Sequence, residues 1–278
     1  MRVLVTGATG QVGGAVAEWV ARLGGEVRRA VSRPAIAEDV RFDFHDRATW
    51  GPALAACDAL FLLRPPAIAD MATTLVPFAQ AARAAGLRHV VFLSVLGAER
   101  MSWVPHAAVE AELRRWTTSW TILRPGFFAQ NVVSQYQRDV VEDGRLYVPA
   151  GDGRVAWVDT RDLGEAAARV CVGAPPQEGR ALPLTGAAAL TFHETAAVLS
   201  RVIARPVRYD AASLAGYAWH LRVRRGLPLM QVAIQTVLHA GLRRGDAAGV
   251  DGTLGELLGR APRSFEAFAR DHAEAWRR

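Results

Sequence analysis

The chain contains no lysine: all 33 of its basic residues are arginine. That absence excludes several chemistries at once. A lysine Schiff base, a Walker-type phosphate lysine and lysine-assisted proton transfer are impossible, because a guanidinium stays charged and is not a usable amine nucleophile. Cysteine is scarce as well, and Cys57 and Cys171 stand far apart with no metal-ligand spacing. His193, His220, His239 and His272 fall in helix-like stretches, again without ligand spacing, so no metal is expected. Long apolar runs are missing. The longest, "HVVFLSVLGA" at 89–98, falls well short of the ~18–20 residues of a bilayer span and reads as a buried strand. Because a strand-like run starts at residue 2, no leader is expected. The expectation is a cytoplasmic chain with no membrane partner.

What the sequence does have is enough apolar material for a full core: 278 residues, 51% of them hydrophobic. This fits one α/β domain with a sizeable appendage. The net charge of +6 suits an anionic ligand. Most arginines, however, are scattered among acids. The local clusters, "RVRR" (222–225) and "RR" (243–244), read as a solvated face and not as a nucleic-acid surface.

Strand-like and helix-like segments alternate through the first half. Strands are expected at 2–7, 26–32, 40–44, 59–63, 89–95 and 121–125, with helices from about 11, over about 70–85 and over about 106–118. Such alternation indicates right-handed βαβ crossovers and a parallel sheet with helices on both faces. After residue 126 the pattern breaks. Residues 145–171 read as a hairpin followed by a helix, with Asp162 as the cap of a helix near Leu163, and 181–186 as one more strand. Thr191 and Glu194 form a capping-box pattern ahead of an apolar helical face, and the last ~80 residues read as mainly helical. The expected organisation is a nucleotide-binding core over 1–186, with an excursion at about 127–155 towards the substrate side. A helical substrate or lid region over 187–278 follows, with the substrate cleft between the two.

The stretch "VLVTGATGQVGG" at 3–14 places Gly7, Gly10 and Gly13 between a strand and a helix. The first glycine permits a tight turn, the second lets backbone approach a pyrophosphate, and the third lets helix pack on strand. The helix N-terminus then offers N–H groups and a positive dipole end to the anion. Gly7, Thr9, Gly10, Gln11, Val12 and Gly13 are the candidate phosphate-binding residues. An NAD-binding site usually has an acid at the end of the second strand for the ribose 2′-hydroxyl. Here the chain reads "VRRAVSRP", with no acid until Glu38. Ser32 and Arg33 suit a 2′-phosphate through charge-assisted hydrogen bonds, so NADP(H) is expected over NAD(H).

Together with "FDFHD" (42–46), "CDALFLLRPP" (57–66), "HVVFLSVLGA", "TILRPGFFAQN" (121–131) and "VDTRDLGEAAA" (158–168), the glycine loop resembles the atypical short-chain dehydrogenase/reductase superfamily over residues 1–205, in particular its NmrA-like and quinone-reductase-like members. The resemblance implies a doubly wound, Rossmann-type sheet with the dinucleotide along the strand C-termini. Asp43 and Phe44 would lie near the adenine. Leu63, Arg64 and Pro65, with Pro125, Gly126 and Phe127, would pass the nicotinamide ribose.

The superfamily's usual machinery is a serine plus Tyr-x-x-x-Lys. Ser94 stands where the serine belongs, at a strand end, and is a candidate for both catalysis and cofactor binding. Among Tyr136, Tyr147, Tyr209 and Tyr217, none has lysine four residues on. The helix that should carry the dyad has His106 and Glu110 at that spacing, one turn apart on one face. This replacement is a feature of the quinone-reductase-like branch. His106 is the candidate proton donor, and Glu110 its orienter or a ribose contact. Trp103, Phe128 and Asn131 are candidate substrate contacts.

Three functions stay open at this stage. One is an NADPH-dependent oxidoreductase acting on an apolar quinone, enone or carbonyl compound, including a natural-product tailoring step. Another is an NADP(H)-bound isomerase, cyclase or dehydratase. The third is a redox sensor that binds NADP(H) and controls a partner protein.

Overall fold

The computed structural model describes residues 1–65, 67–101, 104–116, 120–173 and 177–277. The chain forms two compact units. The first comprises Met1–Pro125, Thr160–Leu184 and Thr253–Arg260; the second comprises Gly126–Asp159, Thr185–Gly252 and Ala261–Arg278.

Six strands lead the first unit: β1 (Arg2–Thr6), β2 (Glu26–Val31), β3 (Asp39–Arg41), β4 (Ala59–Leu63), β5 (His89–Leu93) and β6 (Trp120–Pro125). The chain then makes β7 (Arg145–Val148) and β8 (Arg154–Ala156) in the second unit and returns for β9 (Arg180–Leu184). The sheet order is β3-β2-β1-β4-β5-β6-β9, parallel throughout. β4 and β5 read as continuous apolar runs because both their faces are covered. This is the Rossmann-type fold. Strand order reverses between β1 and β4, which opens a ligand crevice at their C-terminal ends.

The third strand is shorter than expected. It stops at Arg41 because Phe42 and Phe44 turn into an aromatic core with Phe78, their rings 4.6 and 5.6 Å from that of Phe78. Asp43, between them, closes an Asx turn by accepting the His45 N–H at 2.9 Å. The first helix (Gln11–Arg22) buries Val12, Val16 and Val20 at four-residue spacing and packs on the helix Thr160–Cys171. That second helix starts at Thr160, so Asp162 lies inside its first turn and is not its cap. Fully buried, Asp162 instead meets Arg260 at 2.8 Å, and Glu165 joins them at 2.5 Å.

In the second unit the expected hairpin does not form. β7 pairs in parallel with β11 (Arg208–Ala211), and β8 pairs antiparallel with β10 (Ala189–Thr191). The Gly151–Gly153 connection is drawn instead onto the end of the helix Leu229–Arg243, where a Cβ on Gly153 would stand 2.0 Å from the Leu242 carbonyl oxygen. The predicted capping box is present: Glu194 N–H donates to Thr191 Oγ1 at 3.1 Å, and Thr191 N–H to Glu194 Oε2 at 2.7 Å, opening the helix Phe192–Ile203. Phe192, Trp157, Phe265 and Trp276 centre this unit's core. No helix among the described residues is long and apolar enough to cross a membrane.

Candidate active site

Gly7 follows β1 with φ of +65°, a conformation that L side chains rarely adopt, and a Cβ there would lie 2.7 Å from Leu63 Cδ2. A Cβ on Gly13 would stand 2.2 Å from the Gly7 carbonyl oxygen. The loop is drawn tight by the Gly10 N–H, which donates to that oxygen at 2.9 Å. Thr6 fastens β1 to β4 across the crevice, its Oγ1 accepting the Leu63 N–H at 2.7 Å. Gly10 caps the first helix with no side-chain hydrogen bond, and no acid occupies the first turn. Thr9, Gly10 and Gln11 are exposed, while Val12 and Gly13 are buried. A helix end thus left open, on a loop with no Cβ at Gly7, Gly10 or Gly13, fits a pyrophosphate.

At the end of β2, Ser32 and Arg33 are exposed and have no side-chain partner among the described residues. Register sets Arg41, also exposed, opposite Val31 at the neighbouring strand end. Arg41 was not singled out from the sequence, because only the β2–β3 register brings it beside Ser32 and Arg33. The nearest carboxylate on these strands, Asp39, is already engaged. It accepts the N–H groups of Ala35 at 2.8 Å and Ile36 at 3.2 Å and lies 3.4 Å from Arg29. Ser32, Arg33 and Arg41 thus set two cations and a hydroxyl at this edge, beside an Asp39 that is already engaged.

Further along the same edge, Asp43 is exposed, whereas the Phe44 ring is spent on the aromatic core and leaves only backbone for an adenine. Leu63 ends β4 and Arg64 and Pro65 follow it, all three half-buried, with Arg64 Nη1 donating to the Ile68 carbonyl at 2.8 Å. Pro125 ends β6, and its carbonyl accepts the Leu96 N–H at 3.1 Å.

The structure brings Ser94 and Glu110 together. Ser94 Oγ donates to Glu110 Oε1 at 2.6 Å. Glu110, 4% exposed, also receives Arg124 Nε at 3.0 Å and its Nη2, and Arg114 stands 3.8 Å away. Arg124 reaches Glu99 as well, at 3.1 Å. The Glu110 hydrogen bond beside the Arg124 guanidinium holds that group's pKa above its ordinary value. Glu110 is the acceptor of a buried network, and no hydrogen bond joins it to His106 among the described residues. Arg124 is the residue that sequence reasoning missed. Its tie runs from strand to helix, and no local spacing announces it.

His106 is half-buried, its ring 6.1 Å from that of Phe92. Burial, reinforced by the positive charge of Arg64 and only partly opposed by Glu110, pushes its pKa down to about 4. At neutral pH it is uncharged and is a poor proton donor.

Gly126, Phe127, Phe128 and Asn131 belong to the second unit. Phe127 packs its ring 5.5 Å from Trp157 and 5.8 Å from His239, and its carbonyl accepts the Val158 N–H at 3.0 Å. Phe128 and Asn131 are half-buried, and Asn131 Oδ1 accepts from Gln135 at 3.4 Å. Trp103 lies outside the described residues. No group of three metal-ligating side chains occurs among the described residues.

Residues 1–218 match the NmrA-like family. Across 99% of both chains, the sequence is 34% identical to the (4-alkanoyl-5-oxo-2,5-dihydrofuran-3-yl)methyl phosphate reductase of Streptomyces griseus. Across the same share of each, it is 30% identical to the NAD(P)H azoreductase of Xenophilus azovorans. The structure of an NADPH-dependent quinone oxidoreductase of Escherichia coli, complexed with NADPH, superposes with a TM-score of 0.86 at 25% identity, covering 98% of this chain and 99% of that one. With the glycine cradle, the parallel sheet and the lysine-free helix of His106 and Glu110 all in place, the chain belongs to the NmrA-like family.

Proposed function

We propose that the protein is an NADPH-dependent reductase of apolar quinones or enones. One observation carries the reading: the tight glycine cradle lies on the same sheet edge as Ser32, Arg33 and Arg41, where Asp39 is already engaged. Gly7, Thr9, Gly10, Gln11, Val12 and Gly13 would hold the pyrophosphate. Ser32, Arg33 and Arg41 would hold the 2′-phosphate, the arginines through charge-assisted bonds. Asp43 and the Phe44 backbone would face the adenine, and Leu63–Pro65, Ser94 and Pro125–Phe127 the nicotinamide ribose. The bound dinucleotide would supply hydride. The protein's part is orientation, which is worth several kcal/mol when the reacting atoms are held close and aligned.

The acceptor class follows from what the site lacks. The Ser94 proton is given to Glu110, and His106 is neutral. This favours acceptors needing little protonic help, with Phe128, Asn131 and Trp103 as proposed substrate contacts. A tailoring step on a polycyclic quinone falls within the same class. The same geometry weighs against an isomerase or dehydratase, which needs a working acid–base pair.

The test is turnover. Purified protein is mixed with NADPH and 1,2-naphthoquinone, and loss of NADPH absorbance is followed beside a binding titration with NADPH, NADP⁺ and NADH. Turnover with comparable binding of both NADP redox states supports the reductase. Strong discrimination between the redox states without turnover would replace it with a sensor. Failure of all three nucleotides to bind at about micromolar levels would remove both.

A further inference from the structure

Residues 211–245 contain no aspartate or glutamate, yet they carry Arg222, Arg224, Arg225, Arg243 and Arg244. The structure puts exposed apolar side chains on the same stretch. Of the twelve large hydrophobic residues exposed among those described, eight fall between Leu214 and Leu238. Such clustering marks a contact surface, whereas scattered single exposures would need no explanation. Leu229 and Met230 are 71% and 72% exposed, and Ile234, Val237 and Leu238 continue the stripe at helical spacing. The opposite face of the helix Leu229–Arg243 is buried through Val232, His239 and Leu242. His239 secures it, with Nε2 2.5 Å from the Tyr136 hydroxyl. One face anchors the helix and the other stays apolar in water.

The charge around this stripe is unbalanced. Arg225 is met by Asp139 and Glu142, and Arg244 by Asp246. Arg222, Arg224 and Arg243 have no acidic partner among the described residues, and neither has Arg208. A cavity of about 360 Å³ is lined by Arg208 and Arg224 with Tyr147, Trp219, His220 and Asp143. Asp143 is shared with Arg145, which also lines the cavity and reaches Asp210 at 2.6 Å. The cavity therefore keeps an excess of positive charge beside an exposed indole.

We propose that this surface docks on an anionic phospholipid bilayer, with a headgroup phosphate between Arg208 and Arg224 and the Leu229–Leu238 stripe entering the headgroup–acyl boundary. Charge complementarity selects this occupant. A second copy pairing along the helix would set arginine cluster against arginine cluster, whether parallel (222–225 on its own copy) or antiparallel (222–225 on 243–244), and like charges repel. An anionic membrane neutralises both clusters and takes the apolar stripe and Trp219 together. The expectation of no membrane partner rested on the lack of a spanning run, which does not bear on a chain that lies on the surface. The docking surface is independent of the reductase reading.

The experiment is flotation of the purified full chain with vesicles of phosphatidylglycerol and phosphatidylcholine, or of phosphatidylcholine alone, at low and high salt. Binding to the anionic vesicles only, weakened by salt, is expected. Arg222→Glu with Arg224→Glu should lower partition by about tenfold or more. Leu238→Glu should do the same while the melting temperature stays put. Equal binding to both vesicle types overturns the charge argument. Absence of vesicle binding overturns the proposal: calorimetric binding of inorganic phosphate would then assign the cavity to a free anion, and dimer formation in sedimentation would assign the stripe to a second copy.

Discussion

Replacing Glu110 by glutamine tests whether this carboxylate serves the fold or the chemistry. The side chain is 4% exposed and receives Ser94 Oγ at 2.6 Å and Arg124 Nε at 3.0 Å. Glutamine keeps the size and removes the charge. Breaking a buried ion pair by deleting one partner costs about 3–5 kcal/mol. Glu99 stays 3.1 Å from Arg124 and is 35% exposed, so it retains part of the interaction. A loss of about 2–3 kcal/mol is expected. In urea this lowers the midpoint at unchanged slope, and on heating it lowers the melting temperature by about 3–5 °C. The Glu110→Gln, Arg124→Met double-mutant cycle should show coupling of about 1 kcal/mol or more. Well below melting, turnover should fall less than about tenfold, because the group touches no reacting atom. An unchanged melting temperature with a hundredfold loss of kcat would refute the assignment.

Arg33→Ala should weaken NADPH binding by about 1–3 kcal/mol and leave NADH nearly unchanged. Equal losses in the fluorescence titration would remove Arg33 from 2′-phosphate recognition. Gly13→Ala forces a methyl to 2.2 Å from the Gly7 carbonyl oxygen, and overpacking of this kind costs about 1–3 kcal/mol. NADPH should then no longer raise the melting temperature, and a normal thermal shift would mean that the loop is not the cradle. His106 and His239 both have pKa values pushed down to about 4 by burial. A histidine depressed from about 6.5 contributes stability that is whole above about pH 6.5 and is lost as pH falls towards 4, up to about 3 kcal/mol for each. Urea midpoints should therefore drop between about pH 6.5 and 4, and His106→Gln should soften the drop; a flat profile would contradict the buried neutral state.

What could be read in the sequence was local. The spacing of Gly7, Gly10 and Gly13, the doubly apolar runs of β4 and β5, and the Thr191–Glu194 capping box each act within a few residues, so their patterns survive in one dimension. Pairings that depend on distant register did not. β7 and β8 look like two arms of a hairpin, yet their partners start more than thirty residues further on. Phe44 alternates like a strand residue, but the Phe78 ring draws it into the core. The positions of Ser94 and Glu110 were legible through the resemblance, and the network that joins them was not. That network depends on Arg124, fourteen residues beyond Glu110 and on a different element.

The electrostatics of this site also rank its acceptors. Where the superfamily has a lysine, this chain has Glu110, and the positive charge beside it sits on Arg124, which Glu110 and Glu99 neutralise on either side. Arg64 is close enough to His106 to help hold it neutral. Neither arginine can give up a proton near neutral pH. On the proposed function, reduction would therefore run with little general-acid help, whose absence costs about 10²–10⁴ in rate when the product oxygen is a strongly basic alkoxide. A quinone or enone delivers a stabilised anion that solvent can protonate later, so it escapes most of that loss. With NADPH saturating, kcat/KM for a quinone should exceed that for an aliphatic ketone of matched size and polarity by at least about a hundredfold. The quinone rate should also show no inflection between about pH 6 and 8. A ketone reduced within about tenfold of the quinone, or a rate that falls as a group near pH 6.5 loses its proton, would mean that the site holds a proton donor this geometry does not supply.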